Sequence, residues 1–307
     1  MDDYKLLEFV GSRIRNFRKL QGISQEEFAF RCHLDRTYIS GIERGKRNVS
    51  LINLNIIATT LQIPLHKLFI GLPNKIAKLN VHSQTIYKVN TAFDIHCGFD
   101  LNANDVVHAS LMTSIQLEEL PFILFNSIDL KSLSGMVGAL FAENLADKVG
   151  AIVNPIEKGH PDIIPISGQN ASEKQLRNFH KGLEIKCTVG HLKKGHDLKS
   201  GQNRLPHMTG LTWQAHHREV ESLMGLIIDF SGNPLDDKNY PIITAIFYSD
   251  DLNKDDWGKI SGTTGRNTKV TGMRVSGKKK MGNGWIILFN QDDYISFYES
   301  TLGFDSD

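Results

Sequence analysis

Two short stretches of this 307-residue chain carry side chains that could act together on a phosphate ester. Gly159-His160-Pro161-Asp162 opens one apolar run, and Leu183-Glu184-Ile185-Lys186 opens another about twenty residues later. On an extended strand successive side chains point to opposite faces, so Glu184 and Lys186 share one face while Leu183 and Ile185 share the other. A carboxylate and an ammonium on an otherwise apolar strand are costly to bury without partners, and a metal site would supply them. Asp162 and Glu184 offer hard oxygen ligands of the kind Mg²⁺ takes, one or two carboxylates with water in the other positions. Such an ion lowers the pKa of a bound water and offsets charge on a scissile phosphate. Lys186 would orient or deprotonate that water. The competing reading is an edge-strand lysine whose ammonium simply pairs with Glu184 or Asp162.

A different chemistry is written into the first quarter. Leu6, Phe9, Val10, Ile14, Phe17 and Leu20 recur at helical spacing, and Gly22 supplies a stop. Ser24 and Glu27 have capping-box spacing ahead of a second helix that carries Phe28 and Ala29 inward. Asp35 is placed to cap a third helix, Arg36 to Arg44, ended by Gly45. Ser50 caps a fourth, with Leu51, Leu54, Ile57, Ala58 and Leu61 on its apolar face, and Pro64 opens a fifth that ends near Leu68. The second and third helices resemble those of the Cro/repressor-type helix-turn-helix family, which implies that the third fits the major groove of DNA with its early residues at base edges while the one before it crosses the backbone. Arg36, Thr37, Tyr38 and Ser40 are therefore candidates for base contact. Gln25, Arg44, Lys46 and Arg47 are candidates for phosphate contact, which positions without reading sequence. Ile39 and Ile42 belong to the core. The bland alternative is a helix set that contacts only protein.

Composition fits both chemistries. The first 75 residues hold about twelve Lys and Arg against about seven Asp and Glu, although the whole chain carries only +1. No apolar run has the length of a membrane span. The amino terminus is too polar for a secretory signal, and three scattered cysteines argue for a reducing cytoplasm rather than a disulfide framework. Residues 1–72 form the all-α unit, 73–91 read as a linker, and 92–307 read as a mixed α/β domain. In that domain Ser134 to Val149 and Trp213 to Leu223 are expected helices. Asp162 to Ile166, Leu183 to Val189, Leu226 to Phe230, Ile242 to Tyr248 and Trp285 to Phe289 are expected strands. Two segments look like DNA-facing loops: Lys193 and Lys194 running on to Arg204, and Lys259 to Gly284, with Arg266, Asn267 and Lys278. Gln214, His216, His217 and Arg218 sit where they could reach the acidic site.

The stretch from Gly22 to Ala29 followed by Arg36 to Gly45 resembles the Cro/repressor-type (XRE) helix-turn-helix family. The pair Pro161-Asp162 and Glu184-Ile185-Lys186 resembles the motif of the PD-(D/E)XK nuclease superfamily. That resemblance implies a mixed sheet with Asp162 and Glu184 as Mg²⁺ ligands, the Ile185 carbonyl as a further ligand, and Lys186 assisting the attacking water. It also implies a carboxylate from the preceding helix, for which Glu143 is the best match. Taken together the resemblances imply a type II restriction endonuclease acting on double-stranded DNA as a homodimer, with an added DNA-binding unit. A non-enzymatic regulator whose second domain binds an effector or another subunit explains the first unit equally well. A repair or transposition-associated nuclease is a third reading.

Overall fold

The computed structural model describes residues 3–69, 86–157, 159–194, 201–215, 220–232, 239–260 and 270–306. The chain divides into two compact units, Met1–Asn80 and Val81–Asp307.

Among the described residues of the first unit are four helices, α1 (Asp3–Leu20), α2 (Gln25–Arg31), α3 (Arg36–Glu43) and α4 (Leu51–Thr60), the last three following the capping pattern of the sequence. Ser24 Oγ accepts from the Glu27 amide, Asp35 from the Thr37 and Tyr38 amides, and Ser50 from the Asn53 amide. Each side chain satisfies an amide that has no partner within its own helix. After Pro64 a single 3₁₀ turn, Leu65–Leu68, stands in place of the expected fifth helix. Ile14, Phe28, Ile39, Ile42, Ile57 and Leu61 are buried in one core. Leu20 and Leu51 leave the expected apolar faces: both are exposed, as is Ile52, because they sit in terminal turns that the core does not reach. Gly45 ends α3 at φ +67°, and a Cβ there would lie 2.6 Å from the backbone of Glu8. Only glycine meets both conditions.

The second unit is built on a mixed five-stranded sheet. Its strands are β1 (Tyr87–Val89), β6 (Ile185–Thr188), β10 (Leu223–Gly232), β11 (Asn239–Ser249) and β13 (Trp285–Phe289), in the order β1-β13-β11-β10-β6. Neighbours are antiparallel except β6 and β10, which run parallel. β10 and β11 read as near-continuous apolar runs because both faces of a central strand are covered. Two-stranded ladders join β2 (Asp94–His96) to β3 (Asp100–Asn102), β4 (Ala151–Val153) to β5 (Ile163–Pro165), β7 (His191–Leu192) to β8 (Met208–Gly210), and β9 (Gln214–Ala215) to β12 (Thr271–Gly272). Helix α5 (Ala103–Glu118) packs against β11 and β13, and α6 (Leu130–Val149) against α5, β4 and β6. Helices α7 (Val275–Asn283) and α8 (Asp292–Leu302) flank the other end of the chain.

Three expectations are corrected. The linker is shorter at its carboxyl end, because β1 is already paired with β13 and the Tyr87 hydroxyl donates to the Ile243 carbonyl at 2.9 Å. Residues 73–85 lie outside the described residues. Trp213 to Leu223 is not one helix: Gln214 and Ala215 pair with Gly272 and Thr271, and β10 has begun by Leu223, residues 216–219 lying outside the described residues. The segment Lys259 to Gly284 is not one loop, since Val275–Asn283 forms α7.

Candidate functional site

An antiparallel bridge creates the acidic site. Ile163 and Leu183 exchange both backbone hydrogen bonds, at 3.0 and 2.9 Å. In that register the residue before Ile163 faces the residue after Leu183, so Asp162 meets Glu184. Gly182, at φ +142°, lets the chain pass close to Pro161 and Ile163; a Cβ there would stand 2.1 Å from the Ile163 carbonyl oxygen.

The three predicted residues come together. Lys186 Nζ lies 2.5 Å from Glu184 Oε1, 3.7 Å from Asp162 Oδ2 and 3.2 Å from the Ile185 carbonyl oxygen. Asp162 Oδ2 also accepts from the Ile185 amide at 2.7 Å. The ammonium thus occupies the point on which the three oxygen atoms converge. Two carboxylates and a carbonyl are hard oxygen donors of the kind Mg²⁺ takes, and in this structure they surround the Lys186 ammonium. The Ile185 carbonyl belongs to this set. Glu143 does not: it is exposed on α6 and does not line the cleft. The side of α6 that does line it presents Ser134, Gly135, Gly138, Ala139 and Ala142.

His160 completes the cluster, with Nδ1 3.2 Å from Glu184 Oε2. An ionised carboxylate only accepts, so the imidazole donates. The sequence motif assigns His160 no role; its place two residues before Asp162 is the available signal. The hydrogen bond to Glu184 holds His160 above its ordinary pKa. Burial pushes up the Asp162 carboxyl, with Glu184 adding to the effect. Burial also works to raise Glu184, but the His160 hydrogen bond and the Lys186 charge outweigh it and leave it below its ordinary value. Desolvation opposes the Lys186 charge, yet the two carboxylates hold that ammonium above its usual value. The site opens into a cleft of about 680 Å³ that Thr188, His191, Thr212 and Gln214 also line.

In the first unit the recognition surface is separate from the core. Arg36, Thr37, Arg44, Lys46 and Arg47 are exposed, and Tyr38, Ser40 and Gln25 are half-buried. Beneath them lies a charged cluster that sequence reasoning missed. Glu43, on α3, is buried and takes a bidentate contact from Arg18 of α1 at 2.5 and 2.9 Å. Gln25 Nε2 donates to the same carboxylate at 2.7 Å, so this side chain is spent on orienting α2 against α3. Arg18 also donates to the Ile23 carbonyl at 2.7 Å.

Residues 14–68 match the helix-turn-helix family. The control protein C.MunI of Mycoplasma sp is 49% identical over 70 residues, which are 22% of this chain and 92% of that protein. The chain belongs to the helix-turn-helix family. The control protein C.BamHI of Bacillus amyloliquefaciens is 50% identical over 54 residues, 17% of this chain and 67% of its own length. Among solved structures, the restriction-modification controller protein C.AhdI from Aeromonas hydrophila is 48% identical, covering 22% of this chain and all of that one, with a TM-score of 0.22. As in any helix-turn-helix unit, the exposed start of α3 is the part available to base edges.

The remaining predicted DNA contacts divide. Lys193 and Lys194 are exposed after β7. Arg204 is not at the surface: it is buried, donating from Nε to Asp229 at 3.2 Å and from NH2 to the Ile228 carbonyl at 2.6 Å. Asp229 further accepts from the Tyr294 hydroxyl at 2.8 Å, so this arginine is a core residue. Lys278 is half-buried on α7, where desolvation lowers its pKa. Arg266, Asn267, His216, His217 and Arg218 lie outside the described residues. Among the described residues no helix is long and apolar enough to cross a membrane.

Proposed function

We propose that this chain is a sequence-specific DNA-binding regulator of the kind represented by its control-protein relatives, with its first unit bound to operator DNA. The observation that carries the reading is the exposed row Arg36, Thr37, Arg44, Lys46 and Arg47 on and beyond a helix whose inner face is locked by Ile39, Ile42 and Glu43. Enrichment of random duplexes on the full chain tests it. The wild type selects one sequence family, and Arg36→Ala loses about 1–3 kcal/mol of discrimination at one base position. Arg44→Ala weakens binding to all sequences and lowers the salt slope by about one. Equal binding of all duplexes by wild type and variants would remove the assignment.

A specific observation favours a second activity in the second unit. Two carboxylates and a backbone carbonyl converge on Lys186 Nζ beside an open cleft that Asp162, Ile185 and Lys186 line. This supports Mg²⁺-dependent hydrolysis of DNA, in the manner of a type II restriction endonuclease. Asp162, Glu184 and the Ile185 carbonyl would hold the ion, which supplies a nucleophilic hydroxide at neutral pH and offsets phosphate charge. Lys186, released from the oxygens, would hold the water or take its proton. The α6 wall of small residues allows a phosphate backbone to approach. With one centre per chain, a homodimer would cut both strands of a palindromic site. The test is incubation with unmethylated duplex DNA, with Mg²⁺ or with chelator. Discrete fragments that require Mg²⁺ and vanish in Glu184→Gln and Lys186→Ala support the nuclease, and cleavage confined to damaged or branched DNA moves it to repair. Retained duplex binding without cleavage removes the nuclease and leaves the regulator.

A further inference from the structure

We propose that His160 is a positioning residue that keeps one oxygen of Glu184 aimed at the divalent-cation position of the acidic site. The inference rests on the nuclease reading. Glu184 lines a recess of about 270 Å³ together with His160, Asn178 and Lys181, while its neighbours Asp162, Ile185 and Lys186 line the larger cleft. Its two oxygens are held from opposite directions, Oε1 by Lys186 and Oε2 by His160. Lys186 cannot serve both as that anchor and as the group acting on water. Once Nζ leaves the oxygens, His160 is the remaining side chain that donates to Glu184 among the described residues. Without the imidazole the carboxylate is free to rotate, and the ion loses a ligand.

The fold keeps this imidazole in place through the backbone on both sides of it. The His160 carbonyl accepts from the Phe179 amide at 2.7 Å, and the Asp162 carbonyl accepts from the Asn154 amide at 2.8 Å. Asn154 Nδ2 donates to the Pro161 and Leu176 carbonyls at 3.2 and 2.8 Å. These bonds tie residues 160–162 to Asn154 and Phe179, so the direction of the ring costs little further ordering. Partners of this kind fix metal-binding side chains and typically change metal affinity by about 10–100-fold when removed.

The experiment is a Mn²⁺ titration of the full chain followed by electron paramagnetic resonance, alongside Mg²⁺-dependent cleavage. Wild type, Glu184→Gln, His160→Ala and His160→Asn are compared, with melting curves for each. Glu184→Gln loses the Mn²⁺ site. His160→Ala binds Mn²⁺ about tenfold more weakly or worse and needs correspondingly more Mg²⁺ for half-maximal cleavage, while its rate at saturating Mg²⁺ stays near the wild-type rate. His160→Asn, whose Nδ2 reaches about where Nδ1 lies, recovers most of the affinity, an effect that a merely structural histidine does not predict. Wild-type affinity in a folded His160→Ala, with the site lost in Glu184→Gln, overturns the role of His160 and leaves the nuclease reading standing. If His160→Ala does not fold, a folded His160→Asn that has lost Mn²⁺ affinity overturns it equally. A wild type that neither binds Mn²⁺ through Glu184 nor cleaves DNA overturns both.

Discussion

Replacing Glu43 with Ala will unfold the DNA-binding unit at a much lower temperature, although Glu43 itself touches no DNA-facing surface. The carboxylate is 1% exposed and the Arg18 side chain 9%, so water cannot replace what either loses. Three donors converge on Glu43: Arg18 Nε at 2.5 Å, Arg18 NH2 at 2.9 Å and Gln25 Nε2 at 2.7 Å. Removing one partner of a buried ion pair costs about 3–5 kcal/mol, because the other charge stays buried without compensation. Domains of this size have about 5–15 kcal/mol to lose. At about 4–8 °C per kcal/mol the midpoint falls by at least about 12 °C. Calorimetry of the full chain with tryptophan fluorescence in parallel isolates the effect, since Trp213, Trp257 and Trp285 all lie in the second unit. The affected transition is therefore the one that fluorescence does not see. Arg18→Met combined with Glu43→Leu removes both charges and should restore most of the stability, as apolar replacement of a buried pair often does. A shift below about 3 °C for Glu43→Ala, equivalent to less than about 1 kcal/mol, would refute the reasoning. So would a double variant as unstable as the single.

Arg204→Ala lowers the stability of the second unit by about 3–5 kcal/mol in urea and leaves affinity for DNA unchanged; weaker DNA binding at unaltered stability would restore Arg204 to the surface role that its sequence neighbours suggested. Asp35 is held below the ordinary carboxylate range by the Thr37 hydroxyl and the Thr37 and Tyr38 amides. Its contribution to α3 is therefore present above the unfolded-state pKa and is lost as pH falls through the lowered folded value. The stability gap between wild type and Asp35→Ala accordingly closes on acidification, and a gap that stays constant from neutral pH to about pH 2 contradicts this.

How much of this was legible depended on how local the interactions are. The caps of the first unit are contacts over two or three residues, so Ser24, Asp35 and Ser50 could be read directly. That Glu184 and Lys186 share a face was legible from strand alternation, whereas the place of Asp162 opposite Glu184 was not, because it depends on the bridge between Ile163 and Leu183. β1 was hidden because three residues at a sheet edge show no alternation, and Tyr87 finds its hydrogen-bond partner 156 residues away. The expected helix from Trp213 failed where apolar residues at helical spacing were instead claimed by other surfaces. Trp213 packs edge-on against Phe247 of β11, and Gln214 pairs with Gly272. Glu143 failed through orientation: the sequence gives the period of α6, but not which of its faces meets the cleft.

The sharper lesson lies in the charged residues, where sequence alone gives the same sign to opposite roles. Arg44 and Arg204 both lie in segments that read as DNA-facing, yet Arg44 is exposed and Arg204 has no accessible surface. What separates them is a carboxylate 25 residues away from Arg204 in the middle of β10. Asp229 interrupts an otherwise apolar strand, and a buried acid there needs a cation as well as the Tyr294 hydroxyl. The same logic applies to Glu43, the acidic residue of α3, whose partner Arg18 is also 25 residues away. An acid inside a central strand or on the inner face of a recognition helix is therefore the feature to search from. The basic residue it captures is withdrawn from DNA, and the basic residues left over are the ones able to meet phosphates.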